Sequence, residues 1–257
     1  MAFKVRHKSH LLKMVTEGYS HCVRCEIGEH CRHHVFIDTI PKTVLDFGNN
    51  RLHYLFIGEA PGVTEDITGF PFTGPAGDLL RKAIDLSGSV ECPVCCGVGK
   101  CKACWGYGRL TIGLTNLIAC RPYEDPKNPR CLKNREPDHI EVMNCMERLL
   151  DTIIAFNPLT LVFLGNVAQS YMWTIREQLE VRGMTVRLEK LLQPSFILRR
   201  GGLDYNHKYV DQISSMFHHY WDCWHTEGYE REYKPPTVNN GMPIPNPNYT
   251  LDDYFAE

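Results

Sequence analysis

Short apolar runs alternate with helical patterns along this chain, and this alternation limits the fold more than any other feature. Residues 51–57, 110–119 and 159–164 are apolar runs, and the first and third end directly at a glycine. Runs of this length bounded by turn residues are typical of buried strands. Helical spacing of apolar residues occurs at 77–87, 138–156, 166–179 and 209–224. Strands that alternate with helices predict an α/β fold with a parallel sheet.

The loops after the predicted strands are the expected positions of a functional site, because ligands bind parallel sheets at the carboxyl ends of their strands. Residues 58–62, 120–124 and 193–199 are predicted loops at that edge. The remaining predictions are one or two strands within 181–192, a helix within 1–20, a proline-rich loop at 121–137 and an extended or disordered tail at 226–257.

The composition is that of a soluble globular domain, since 43% of the 257 residues are hydrophobic and 23% are charged. The sequence has no apolar run long enough to span a membrane, and the basic segment 1–13 lacks the apolar core of a secretory signal. We therefore expect a cytoplasmic monomer with no membrane partner. The net charge of -2 does not indicate nucleic-acid binding, but a local basic stripe would suffice for it.

Twelve cysteines in such a chain need an explanation other than disulfides, which are rare in reducing compartments. Three C-x2-C pairs begin at Cys22, Cys92 and Cys101, and this spacing is typical of metal ligands. A small buried apolar side chain is the alternative for single cysteines such as Cys223. The pairs predict metal binding.

The second and third pairs lie in residues 91–109, a tandem C-x2-C-x-G-x-G repeat that resembles the zinc-binding repeats of DnaJ co-chaperones. Two such pairs can close one tetrahedral zinc site. The same segment mixes cations with aromatic rings, as single-strand binders do. The repeat could contact DNA or only stabilise the fold, and the sequence does not decide between these two roles. The expected zinc ligands are Cys92, Cys95, Cys101 and Cys104, and the cations and rings are Lys100, Lys102, Trp105, Tyr107 and Arg109.

Four motifs occur at the predicted strand ends and in the loops after them. In chain order they are GEAPG (58–62) with ED (65–66) and GFPFTGPAG (69–77), TNLIACRP (115–122) with NREP (134–137), LG (164–165), and QPS (193–195) with LR (198–199). A glycine–proline loop alone is an ordinary turn. In this order, over roughly residues 20–200, the motifs resemble the family 4 uracil-DNA glycosylases, which carry an iron–sulfur cluster.

The resemblance implies a three-layer α/β/α sandwich with a central, mainly parallel sheet of four strands. It implies one glycosylase domain at 1–225, with 91–109 inserted in it, and DNA as the partner. Phe72 would stack on a flipped-out base, Asn116 would hydrogen-bond its Watson–Crick edge, and Ala60 would line the base site. The residues implied to contact the DNA backbone or fill the gap in the duplex are Gly58, Gly62, Pro194, Ser195, Leu198 and Arg199.

The resemblance also implies ligands for a [4Fe-4S] cluster, which four cysteine thiolates hold. Zinc accepts the same ligands and is the alternative. Because base release transfers no electrons, we expect the cluster to be structural. The implied ligands are Cys22, Cys25, Cys120 and Cys145.

The catalytic residues implied are Glu59 and Asp66, which would position the attacking water and stabilise the cationic sugar, and Gln193. The family has histidine in place of Gln193, where it donates a hydrogen bond to the departing base. A glutamine amide is also a neutral donor. We therefore weigh three functions: excision of a modified pyrimidine, such as the glucosylated hydroxymethylcytosine of phage DNA, which we place first; excision of uracil; and DNA binding without cleavage. A chaperone adaptor rests on the tandem repeat alone.

Overall fold

The computed structural model describes residues 15, 18–41, 44, 51–88, 90–99, 101–125, 132–200 and 203–227, without the side chains of 203–205 and 223–227. Most of the helix predicted within 1–20, the middle of the 121–137 loop and the tail from 228 onward lie outside the described residues. Cys223 is among the residues whose side chains are not described.

The described residues form strands and helices in alternation, as predicted. In chain order they are α1 (Glu26–His30), β1 (Ile37–Ile40), β2 (Tyr54–Gly58), α2 (Val63–Thr68), α3 (Pro75–Leu86), β3 (Ile112–Asn116), α4 (His139–Phe156), β4 (Thr160–Leu164), α5 (Gly165–Ser170), α6 (Met172–Val181), β5 (Arg187–Leu191), α7 (Pro194–Arg200) and α8 (Leu203–Glu227).

The strands form one sheet in the order β1-β3-β2-β4-β5. The four strands β2 to β5 are mutually parallel, as predicted, and β1 adds an antiparallel edge beside β3 that was not predicted. From β2 the chain passes to β3 on one side and later to β4 on the other. The carboxyl end of β2 therefore lies at a topological switch point, the usual place for a ligand site in such sheets.

Two hydrophobic cores cover the two faces of the sheet. Within β2, Leu55 and Ile57 pack with residues of α4, α5 and α6, whereas Tyr54 and Phe56 pack with residues of α3 and α8. Successive strand side chains point to opposite faces, so a strand buried on both faces is apolar throughout. The predicted three-layer α/β/α sandwich is confirmed.

Helix α4 begins at a capping box. The Asp138 carboxylate accepts a hydrogen bond of 2.8 Å from the Glu141 backbone N–H, and the Glu141 carboxylate accepts one of 2.9 Å from the Asp138 N–H. The helix ends at Asn157, whose left-handed φ of 41° precedes Pro158. Because α4 also carries Cys145 and lies against the sheet, its start fixes the position of that cysteine.

Three predicted elements differ from the structure. The helix predicted at 166–179 is two helices, α5 and α6, with Tyr171 between them. The loop predicted at 193–199 is helix α7, because Pro194 stands at its first position, where a proline is well tolerated. Helix α8 is longer than its prediction and runs to Glu227. Within the described part of the chain, helices are too short or too polar to span a bilayer.

Candidate active site and metal sites

The carboxyl ends of β2 and β3 bring together two residues that the sequence predicts to bind a base. Gly58 pairs with Asn116 in the register of the two strands. A Cβ atom at Gly58 would lie 2.5 Å from Asn116 Oδ1 and 2.8 Å from Phe72 Cζ. The amide and the ring edge therefore meet over the end of β2, in space that only a glycine leaves free. Asn116 is 3% exposed and Phe72 is 7% exposed.

Phe72 is held in an unusual backbone conformation. Its φ is 56°, a left-handed value that is strained for an aromatic residue. Arg81 donates from Nε to the Phe72 carbonyl oxygen at 3.0 Å and from Nη2 to the Asp38 carboxylate at 2.8 Å. A Cβ at Gly77 would lie 2.1 Å from the Phe72 carbonyl oxygen, so that position requires glycine. Asp38 and Arg81 thus orient the ring, and sequence reasoning missed both.

Glu65 ties together the two loops around the site. One carboxylate oxygen accepts hydrogen bonds from the backbone N–H groups of Thr73 and Gly74, at 3.0 and 2.8 Å. The other accepts from the Gly62 N–H at 3.0 Å. The Gly62 amide, which was expected to hold a phosphate, is therefore already bonded within the chain. Asn134 supports the same loop through a 3.2 Å bond to the Pro61 carbonyl oxygen.

Asp66 is 2% exposed and both of its carboxylate oxygens are occupied. Oδ1 accepts from the Arg32 backbone N–H at 2.9 Å, and Oδ2 accepts from the Tyr123 hydroxyl at 2.5 Å. Burial and the bond to Asp66 together raise the pKa of Tyr123 to about 12. These contacts tie α2 to the chain segments at Arg32 and Tyr123, so the Asp66 carboxylate holds these segments together.

Glu59 is the freer of the two predicted carboxylates. It is half-buried beside Ala60, and the described residues give its carboxylate no hydrogen bond or ion pair. Burial raises its pKa, the neighbouring Glu136 raises it further, and the charge of Arg199 lowers it. Glu59 is thus available to a substrate at the same sheet edge.

Gln193 lies between β5 and α7, against the end of β4. A Cβ at Gly165 would lie 2.8 Å from Gln193 Cβ and 3.2 Å from its Oε1. That Oε1 is buried and has no hydrogen-bond partner among the described residues. On α7, Leu198 and Arg199 are exposed, Ser195 is half-buried and Pro194 is buried.

The four cysteines expected to bind the cluster line one cavity beside β3 and α4. The cavity wall includes Cys22 and Cys25 from the chain before α1, Cys120 after β3, and Cys145 on α4. The Ala119 backbone N–H donates to Cys145 Sγ at 3.4 Å. Four cysteine thiolates are the usual donor set of an iron–sulfur cluster, so the residues around this cavity fit such a group.

Two further donors beside Cys120 were missed. Cys31 and His34 lie with Cys120 in a group whose ligand atoms are all within 4.8 Å of one another. Contact with Cys120 lowers the pKa of the Cys31 thiol, against the effect of burial, and His34 lowers it as well. The sequence signal was weak, because neither residue belongs to a C-x2-C pair.

The tandem repeat gathers its four cysteines as predicted. Sulfur–sulfur distances are 3.4 Å for Cys92–Cys101, 3.7 Å for Cys95–Cys104 and 3.5 Å for Cys101–Cys104. A tetrahedral zinc ion with bonds of about 2.3 Å would set these distances at roughly 3.8 Å. The Gly108 N–H also donates to Cys104 Sγ at 3.2 Å. The group is suited to hold one metal ion.

The tandem repeat lies at the amino edge of the sheet, opposite the base site. His53, just before β2, stacks on Trp105 with ring centroids 3.8 Å apart, and its Nε2 lies 3.2 Å from the Ala103 carbonyl oxygen. The Arg51 guanidinium lies over the Trp105 ring, 4.7 Å from its centroid. A strand of five residues spans about 16 Å, so the repeat lies about that far from the carboxyl edge where Phe72 and Asn116 meet.

The family of the chain follows from sequence comparison. The profile of the family described as "Uracil DNA glycosylase superfamily" matches residues 45–227. This match covers most of the chain, which therefore belongs to the uracil-DNA glycosylase superfamily.

Several curated relatives carry the name Type-4 uracil-DNA glycosylase. That of Saccharolobus solfataricus is 32% identical over 126 residues, which are 49% of this chain and 46% of the relative. That of Archaeoglobus fulgidus is 30% identical over 128 residues, 50% of this chain and 51% of the relative. That of Thermotoga maritima is 29% identical over 164 residues, 64% of this chain and 67% of the relative. The chain spans about half the length of the first two.

Proposed function

We propose that this protein is a DNA glycosylase that hydrolyses the N-glycosidic bond of a flipped-out pyrimidine and leaves an abasic site. The observation that carries the proposal is the meeting of the Phe72 ring and the Asn116 amide over Gly58. A glycosylase must read its base outside the stack, by stacking and by hydrogen bonds to the Watson–Crick edge. A ring supplies the first, and an amide supplies both a donor and an acceptor for the second.

Glu59 is the residue we propose for positioning the attacking water and stabilising the cationic sugar. Its carboxylate is half-buried and without a partner among the described residues. Partial burial strengthens its attraction for a developing positive charge. Asp66, with both oxygens occupied, supports the loop instead of reacting.

Gln193 is the proposed donor to the departing base. Its Oε1 is buried beside Gly165, so the amide nitrogen is the end of the side chain left for a ligand. A neutral N–H donor of this kind can stabilise the negative charge that develops on the base oxygen. Leu198 and Arg199, exposed on the adjacent α7, are proposed to brace the duplex where the base has left it.

For the metal sites, we propose a [4Fe-4S] cluster held by Cys22, Cys25, Cys120 and Cys145, and a zinc ion held in the tandem repeat. The four cysteines that line one cavity support the first, and the tetrahedral sulfur spacing supports the second. When bound, the cluster would supply a fixed anionic centre beside β3 that joins the chain before α1 to α4.

The base we propose is a modified pyrimidine, such as the glucosylated hydroxymethylcytosine of phage DNA, which would make the enzyme a defence against phage. The support is Gln193, where the resemblance implies histidine. The tandem repeat gives no support, because it lies at the other edge of the sheet. Uracil excision in base-excision repair is the second candidate, which the names of the relatives favour.

The experiment is incubation of the anaerobically purified protein with two DNAs, one containing uracil and one containing glucosylated hydroxymethylcytosine. Alkali then converts abasic sites into strand breaks. Breaks in the second DNA alone support the modified base, and breaks in the first support the repair function. Tight binding to both without breaks would instead favour a non-catalytic DNA-binding protein. The retained Glu59, Phe72 and Asn116 argue against that outcome, since a binder needs no base site.

A further inference from the structure

The buried Arg148 lies between the cysteine-lined cavity and the base site. Arg148, on α4, is 1% exposed and is the largest fully buried side chain among the described residues. It stands one helical turn after Cys145, so both side chains project from the same face of α4 toward the end of β3.

The guanidinium holds the end of β3 in place. Its Nη2 donates to the carbonyl oxygens of Asn116 and Leu117, at 2.7 and 2.6 Å, and its Nη1 lies 3.2 Å from Thr115 Oγ1. The same Nη2 lies 3.7 Å from Cys145 Sγ. One side chain therefore contacts both an expected metal ligand and the backbone of the residue that reads the base.

The charge of this arginine has no carboxylate partner in the described part of the chain. Its Nε is also buried without a hydrogen-bond partner. A buried cation is strongly unfavourable unless an anion or several acceptors lie beside it. The carbonyl oxygens supply acceptors but no charge. Glu141 lines the same cavity but is paired with Arg135. The cysteine thiolates of the cavity can carry the compensating negative charge, and Cys145 Sγ lies 3.7 Å from the guanidinium.

We infer that Arg148 is a positioning residue that couples the metal centre to the base site. The thiolate-held cluster stabilises the buried guanidinium, and the guanidinium fixes the backbone on which Asn116 stands. Only arginine suits this place, because its planar fork reaches two carbonyls, a hydroxyl and a sulfur together, whereas a lysine ammonium is a single point. The inference rests on the proposed function for the identity of the cluster and for the role of Asn116.

Two substitutions test the coupling without reference to catalysis. Arg148→Lys keeps the positive charge but removes the planar guanidinium that makes several hydrogen bonds at once. Arg148→Met removes both the charge and the guanidinium. Arg176→Lys is the matched control, because Arg176 lies on the exposed face of α6 and pairs with Glu180. Circular dichroism checks the fold of each variant. Since hydrogen bonds to cluster sulfurs raise the reduction potential, both Arg148 variants are expected to shift it to more negative values and to lose iron faster to a chelator.

The second readout is hydrogen exchange of the peptide covering residues 112–119, followed by mass spectrometry. Exchange there is expected to be at least about tenfold faster in Arg148→Lys, and also in the wild-type protein after removal of iron. Arg176→Lys is expected to match the wild type in both readouts. If Arg148→Met does not fold, Arg148→Lys decides the result.

The outcomes separate this inference from the proposed function. Arg148→Lys with an unchanged potential and unchanged exchange at 112–119 overturns the coupling, even when the wild-type protein releases a base. A wild-type protein that holds no iron also overturns it, because the compensating charge would be missing. A wild-type protein with a cluster but without glycosylase activity contradicts the proposed function, while the potential and the exchange rates still decide the coupling.

Discussion

Arg81 donates a hydrogen bond of 3.0 Å from its Nε to the carbonyl oxygen of Phe72. Asp38, on the edge strand β1, fixes the same guanidinium from the other side at 2.8 Å. The backbone conformation of Phe72, the residue proposed to stack on the base, therefore depends on Arg81 and Asp38.

Arg81→Lys is expected to weaken base recognition more than it weakens the fold. A lysine can keep its charge near Asp38 but cannot also hold the Phe72 carbonyl in the same geometry. We expect KM to rise about tenfold, with kcat changed less, and a loss of stability of about 1 kcal/mol. Steady-state kinetics and thermal unfolding measure the two effects. Arg182→Lys is the control, and an unchanged KM for Arg81→Lys would contradict the positioning role.

Gly58→Ala is expected to close the base site. The new Cβ would lie 2.5 Å from Asn116 Oδ1 and 2.8 Å from Phe72 Cζ. Single-turnover base release should fall by at least about a hundredfold, whereas affinity for DNA should change little because phosphate contacts dominate it.

A double-mutant cycle identifies the cause of that loss. If the clash with the amide is responsible, Gly58→Ala should cost much less in an Asn116→Ala background than in the wild type. Additive effects of the two substitutions would show that they act on separate features and that the two side chains do not share one site.

Gln193 is expected to set both the rate and the choice of base. Gln193→Ala should lower kcat by about 10²–10³, the usual cost of a lost donor to a developing anion. Gln193→His should raise the rate on uracil relative to the modified base. The two variants are compared on both DNAs in parallel. Equal rates for wild type and Gln193→Ala would remove Gln193 from the mechanism.

Removal of metal from the tandem repeat is expected to destabilise the protein without altering base choice. The repeat docks on His53 and Tyr220 at the amino edge of the sheet. Cys104→Ser should lower Tm by roughly 5 °C or more, as a loss of about 2 kcal/mol does in a domain of this size. Cys96→Ser, which alters an exposed cysteine outside the metal group, is the control. A change in the ratio of rates on the two DNAs would mean that the repeat does affect the base site.

His53 should make stability depend on pH. Burial, together with the charge of Arg51, lowers the pKa of His53 to about 3, although the hydrogen bond to the Ala103 carbonyl oxygen raises it. The unfolded chain therefore takes up the proton first, near pH 6.5. The contribution to the free energy of unfolding is complete above that pH and is lost as pH falls toward 3, by at most about 1.4 kcal/mol per unit.

The measurement is the free energy of unfolding from urea titrations between pH 5 and 7. His53→Gln should give a flatter dependence than the wild type over this range. Equal slopes for the two proteins would show that His53 does not carry the effect.

The sequence predicts best those features that are local along the chain. Strands β2, β3 and β4 are apolar runs, and Phe72 and Asn116 belong to motifs at the sheet edge. Asp38 and Arg81 are 43 positions apart, and no periodicity connects them. Strand β1 escaped prediction because its short run includes two polar residues, Asp38 and Thr39, which are both buried.

The position of the tandem repeat follows from the topology of the sheet. The repeat follows α3 and precedes β3. In a parallel sheet, a helix after a strand returns the chain to the amino edge, so an insertion between that helix and the next strand lies opposite the ligand edge. The metal-binding spacing of the repeat can be predicted from the sequence. The distance of the repeat from the base site can be predicted only when the topology of the sheet is also considered.

The most direct test of the central claim is to identify the free base that the purified protein releases. DNA containing uracil and DNA containing glucosylated hydroxymethylcytosine are incubated with the wild type and with Asn116→Ala, and the small molecules are analysed by mass spectrometry. The account predicts a free modified pyrimidine from the wild-type reaction and at least about a hundredfold less from Asn116→Ala. No free base from either DNA, or equal release by the variant, would contradict it.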